Sequence, residues 1–184
     1  MKPKIVIALC AALFAASLGI APAADVKFSM DRKKLGQSNT RTGSTNAKAR
    51  GTTNFSIENK DIIYTIFVES SSFKDLENVT VEYNIYYEEA RPGSTEKPPV
   101  RTLAGKHTID KLGSYKKVDF DTTPIVMKET RLDGGWVWTS GADKNAKDRI
   151  VGSIIRAHNS EGKLLGEYIN PSGIATKFEW KSPR

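Results

Sequence analysis

Trp136 and Trp138 stand two residues apart within Gly134-Gly135-Trp136-Val137-Trp138-Thr139-Ser140-Gly141. In an extended chain, side chains two apart project from the same face. Exposed, the two indoles would stack on the apolar faces of sugars; turned inward, they would pack the core of a β-domain. The flanking glycines suit a loop without deciding between the two readings. Tyr86 joins the tryptophans as a candidate ligand contact, because it falls on the polar face of its predicted strand, where it would be an exposed contact or the cover of an edge.

Other chemistry is thin. His107 and His158 are the only histidines and hence the only side chains with an ordinary pKa near neutrality. Each falls in a predicted strand, and neither has a nucleophile motif beside it. Glu88 and Glu89 are adjacent, so they point to opposite faces of a strand, which argues against a carboxylate pair. Asp143-Lys144-Asn145-Ala146-Lys147-Asp148 offers three oxygen ligands in six residues. Lys147 stands at its fifth position and Asp148 where a calcium loop needs glycine, so a solvated loop is expected. No catalytic residue, metal ligand or cofactor is assigned, and the expectation is a protein that is not an enzyme.

The elements that would position these residues follow an N-terminal segment of a different kind. Lys2 and Lys4 precede an apolar run from Ile5 to Ile20, and Ala21-Pro22-Ala23 offers small residues for cleavage. That order predicts a signal peptide over residues 1–23. The run of 16 residues is shorter than the roughly 20 a spanning helix needs, so no transmembrane segment is expected after cleavage. The location expected is secreted, periplasmic or cell-surface. Cys10, the only cysteine, would leave with the signal, so the remaining 161 residues form no disulfide and depend on burial for stability.

Without Lys2 and Lys4 the basic count falls from 28 to 26 against 21 acidic residues. The whole excess lies between Ala24 and Arg50, in Lys27, Arg32, Lys33, Lys34, Arg41, Lys48 and Arg50 against Asp25 and Asp31. Such a basic arm would meet anionic glycan or an anionic envelope surface, or serve as a solvated tail; no nucleic-acid partner is expected for an exported chain. Val26 to Met30 alternates like a first edge strand, whereas Gly36 to Thr53 has no large apolar residue and predicts a linker. Residues 24–53 are therefore read as an arm and 54–184 as the domain.

Within the domain the apolar period is 2. Phe55 and Ile57 alternate with polar residues, Ile62 to Val68 is β-branched and aromatic, and Val79, Val81, Tyr83, Ile85 and Tyr87 form one face of the cleanest strand. Phe73 to Asn78 reads as the loop before that strand, and Arg91-Pro92-Gly93-Ser94 to Pro99 as a long connection. Further strands are predicted over Lys106–Leu112 and Tyr115–Thr122, with a hairpin of Asp148–His158 and Lys163–Ile169 closed at Asn159 to Gly162. Short strands separated by turns predict an all-β, antiparallel sandwich of about seven to nine strands.

The succession Tyr64-Thr-Ile-Phe-Val68, Leu76, Val79 to Tyr87, and Arg149-Ile-Val-Gly-Ser-Ile-Ile-Arg156 through Leu165 resembles the B, C, F and G strands of bacterial immunoglobulin-like or fibronectin-like domains, over residues 60–170. The resemblance implies an immunoglobulin-like β-sandwich used for adhesion, pilus-type assembly or glycan contact. Expected partners are an envelope protein or glycan, or further copies of the chain. Alternatives are a structural subunit of a surface assembly and an accessory domain of a glycan-active enzyme.

Overall fold

The long second strand organises the molecule. In the computed structural model, which describes residues 24–43, 54–134 and 137–182, nine strands are present: β1 (Val26–Gly43), β2 (Asn54–Ser70), β3 (Leu76–Glu88), β4 (Val100–Leu112), β5 (Lys117–Asp121), β6 (Ile125–Leu132), β7 (Asn145–Lys147), β8 (Arg149–His158) and β9 (Leu164–Asn170). One edge of β2 pairs with β1 throughout; the other is divided between β6, along Phe55–Ile62, and β5, along Thr65–Glu69. With β7 beside β6 this makes a five-stranded sheet, and β4-β3-β8-β9 makes a four-stranded one. Every pairing is antiparallel, and the sheets do not close into a barrel.

The period-2 pattern is used as expected. Ile62, Tyr64, Ile66 and Val68 of β2 face Val79, Val81, Tyr83 and Ile85 of β3 across the interior, joined by Ile155, Ala157, Leu112 and Met127. The all-β sandwich expected from the alternation is the fold observed. The β8–β9 hairpin forms as its turn residues require: Gly162 takes φ +80°, and the Asn159 carboxamide oxygen accepts the Glu161 and Lys163 amides at 3.1 and 2.8 Å.

Two expectations fail. Gly36 to Gly43, read as part of a linker, continues β1 and pairs residue by residue with Asn54 to Asp61. Composition misleads here because an edge strand satisfies its backbone on a neighbour and needs no apolar side chain to do so. A register shift between Lys34 and Gly36 lets the strand turn past the apolar part of the sandwich. The reading of the arm as a solvated tail therefore does not hold for Val26–Gly43. The signal segment 1–23, Lys48, Arg50 and Trp136 lie outside the described residues.

The outer face of β3, expected in water, is covered at its centre. Residues beyond β9 turn at Pro171 into a short 3-10 helix, Ser172–Ile174, and run back over the four-stranded sheet. Ile174, Phe178 and Trp180 pack there against Tyr86, Ile154 and Val100. Lys181 accepts a hydrogen bond from the Asn84 carboxamide at 3.0 Å.

Candidate functional site

Of the two indoles, Trp138 alone lies among the described residues. Trp138 is half-buried, in a loop rather than a strand, and its ring lies where a Cβ on Gly93 would come within 3.0 Å. The Ser140 hydroxyl donates to the Gly93 carbonyl at 2.7 Å, so the loops after β3 and β6 are clasped together. Gly93, at φ +73°, provides both the turn and the room for the indole. Trp138 thus acts as a clamp between loops. Beside it a shallow polar cleft of about 430 Å³ is lined by Arg91, Glu96, Asp143 and Lys147 among others.

Tyr86 is not an exposed contact either. It is only 1% exposed, and its hydroxyl donates to the Glu179 carbonyl at 3.1 Å. Burial raises the pKa of its phenol, while Asn84 and Arg156 act in the opposite direction. Its neighbours Asn84 and Arg156 also serve the C-terminal cover: Asn84 bonds to Lys181, and Arg156 stacks its guanidinium 4.4 Å from the centre of the Trp180 ring.

The remaining candidates also have structural duties. Asp148, in the segment considered for calcium, accepts the Ala90 and Lys128 amides, both at 2.8 Å. Glu88 pairs with Arg149 and Glu89 with Arg101, each at 2.8 Å, so the adjacent carboxylates are held by different arginines. His107 stacks on Phe120. Among the described residues no three His, Cys, Asp or Glu side chains gather as a metal site, and no helix is long and apolar enough to cross a membrane.

Of the basic residues of the arm, Lys27, Arg32, Lys33, Lys34 and Arg41 are carried on β1. Along β1 the row that faces the other sheet reads Val26, Phe28, Met30, Arg32, Lys34, opposite Ser70, Val68, Ile66, Tyr64 and Ile62 of β2. The row is apolar where the second sheet covers it and cationic beyond. Lys27 and Lys33 belong to the opposite row, and Lys33 approaches Asp121 at 3.9 Å. Arg41 stands opposite Ser56 in the ladder. Lys60, on the same side as Lys34, is held by Glu58 at 3.1 Å and Glu129 at 3.4 Å.

An aromatic pair that the residue pattern did not single out is the most exposed apolar feature described. Phe73, in the loop after β2, is 85% exposed, and Tyr115, in the turn after β4, is 57% exposed. Their rings meet edge to face, with centroids 5.3 Å apart and planes at 84°. The Asp75 carboxylate accepts the Ser114 amide at 2.9 Å and pairs with Lys111 at 2.8 Å, and the Ser114 hydroxyl donates to the Ser72 carbonyl at 3.0 Å. Lys111, first through its hydrogen bond, and the Ser114 amide hold the Asp75 carboxyl below its ordinary pKa. Tyr115 adopts φ +54°, a conformation uncommon for a bulky residue. Phe73 falls in a predicted loop, whereas Tyr115, predicted to open a strand, lies in the turn before β5, which begins at Lys117.

Comparisons with family models, with curated proteins and with solved structures found no match for this chain.

Proposed function

We propose that the chain is an exported, envelope-associated binding module without catalytic activity, and that it meets its partner, an envelope protein, through the tip formed by Phe73 and Tyr115. The observation that carries this reading is the exposure of two touching aromatic rings on loops already fixed by hydrogen bonds. Aromatic anchors contribute much of the binding energy at protein interfaces, and a fixed loop loses little entropy on binding. The edge-to-face arrangement suits insertion between side chains better than it suits a flat sugar, which needs a planar surface. An immunoglobulin-like assignment is supported by the β4-β3-β8-β9 order, in which the last two strands form a hairpin. Export is supported by the residue pattern of 1–23.

The test is site-specific photo-crosslinking in intact cells, with the crosslinker at Lys74 beside the tip or at Val126 on a distant strand. A discrete adduct from position 74 alone, lost in the Phe73→Ser/Tyr115→Ser double variant, is expected. Identical adducts from both positions, or none, would overturn the reading. Sequencing the exported protein from its N-terminus should begin at Ala24.

A further inference from the structure

Where the cationic part of β1 begins, the two sheets stand open along one side. A cleft of about 300 Å³ lies between β1 and β2 on one wall and β8 and β9 on the other. Its lining includes Met30, Arg32, Tyr64, Ser153, Tyr168 and Asn170. Small-molecule sites are typically clefts of this size or larger, mostly apolar, with a few polar groups converging.

Three features set this cleft apart. Ser153 is 1% exposed, lies opposite Ile85 on the core-facing side of β8, and has a buried hydroxyl without a hydrogen-bond partner. A buried hydroxyl left unpaired costs about 1–3 kcal/mol, so such a group calls for an explanation. Arg32, the cross-strand neighbour of Tyr64, has no ion-pair partner among the described residues. Both side chains line the cleft, and while burial raises the pKa of the Tyr64 phenol, the Arg32 charge acts in the opposite direction. On the far wall the Asn170 carboxamide donates to the Tyr168 hydroxyl at 3.2 Å, leaving the phenolic hydrogen free to donate in turn.

One cation, three hydroxyls and a carboxamide, set beside the apolar Met30, fit a compact ligand with one anionic group, several hydroxyls and an apolar ring face. We infer that this cleft binds a carboxylate-bearing sugar unit, a hexuronic acid, with its carboxylate on Arg32 and ring hydroxyls on Ser153, Tyr64 and Tyr168. A neutral hexose would leave Arg32 unused, and a simple carboxylate would leave Ser153 unpaired. The site is separate from the aromatic tip, so either can fail without the other.

The experiment is titration of the full exported chain with glucuronate, followed through the amide resonances of Gly152 and Ser153, with glucose and acetate as controls. Saturable shifts with glucuronate are expected, at least tenfold weaker with either control. Arg32→Gln should weaken glucuronate binding about tenfold or more, in line with loss of a charge-assisted hydrogen bond. Ser153→Ala should weaken it several-fold while leaving the melting temperature unchanged or higher, because it removes an unpaired hydroxyl. That combination separates a ligand-binding role from a structural one. Lys33→Gln, on the opposite face of β1, should leave binding unchanged. No saturable shift at tens of millimolar glucuronate, equal binding of glucose or acetate, or unchanged binding in Arg32→Gln would overturn the proposal.

Discussion

The ring of Tyr86 lies nearly flat on that of Phe178, with centroids 5.0 Å apart and planes 18° from parallel. The contact joins the centre of β3 to a segment more than ninety residues later, which makes the C-terminal cover part of the fold. Phe178→Ala should lower stability by about 2–3 kcal/mol, below the 3–5 kcal/mol of a fully buried phenylalanine because this ring is partly exposed. Urea denaturation measures it. A loss under 0.5 kcal/mol would show that the segment is dispensable.

Asp148 joins three elements through one carboxylate. Replacing it with alanine leaves the Ala90 and Lys128 amides without their acceptor, at a combined cost of about 3 kcal/mol. Asparagine keeps one acceptor and should lose roughly half as much. Thermal unfolding of the two variants gives the ordering, and a larger loss in asparagine than in alanine would contradict the assigned role.

Gly166 of β9 lies against the backbone of Val26, and a Cβ there would collide with the Val26 carbonyl oxygen. Gly166→Ala should push the start of β1 away from β9 and cost about 1–3 kcal/mol. Hydrogen exchange should accelerate at the amides of Val26 to Met30 and remain unchanged in β3. Uniform acceleration would mean that the two edges are not a local contact.

Glu129 gathers Lys60, Arg131 and Lys147 at 3.3–3.4 Å on the far part of the five-stranded sheet. Burial raises the pKa of its carboxyl, but hydrogen bonds and charge from Lys147 and Lys60 outweigh that and leave it lowered. A carboxyl lowered by folding stabilises above its unfolded value, about 4.3. The contribution is lost as pH falls through the folded value. The melting temperatures of the native chain and Glu129→Gln should therefore differ at pH 6 and draw together as pH falls below the ordinary carboxylate range. Parallel curves down to pH 3 would exclude the cluster as the source.

The strands easiest to read in the residue pattern were those with one face in the core and a local partner. Val79 to Tyr87 shows its inner face by alternation, and the Asn159 to Gly162 turn declares its hairpin. Gly36 to Gly43 was not readable, because its order comes from backbone pairing that leaves no trace in side-chain hydropathy. β6 leaves a weaker trace because Glu129 stands on its inward row after Ile125 and Met127, used in an ion cluster rather than in solvent. The outer face of β3 was misjudged because its cover comes from the far end of the domain. Of the site candidates, Arg32 and Lys34 were visible as charge, but only the strand register shows that they continue the apolar row of β1. Ser153 was hidden within an apolar run, and Phe73 and Tyr115 meet only through the loops that carry them.

The C-terminal cover also sets a schedule for folding. Asn84 and Tyr86 bond to residues 97 and 93 positions further along the chain, so their face of β3 stays bare until the last segment has emerged. During synthesis from the N-terminus, Ile154 and Tyr86 offer an apolar patch to chaperones or to other unfinished copies. A chain shortened by about a dozen residues would keep the residues of all nine strands but lose Ile174, Phe178 and Trp180, leaving that patch bare.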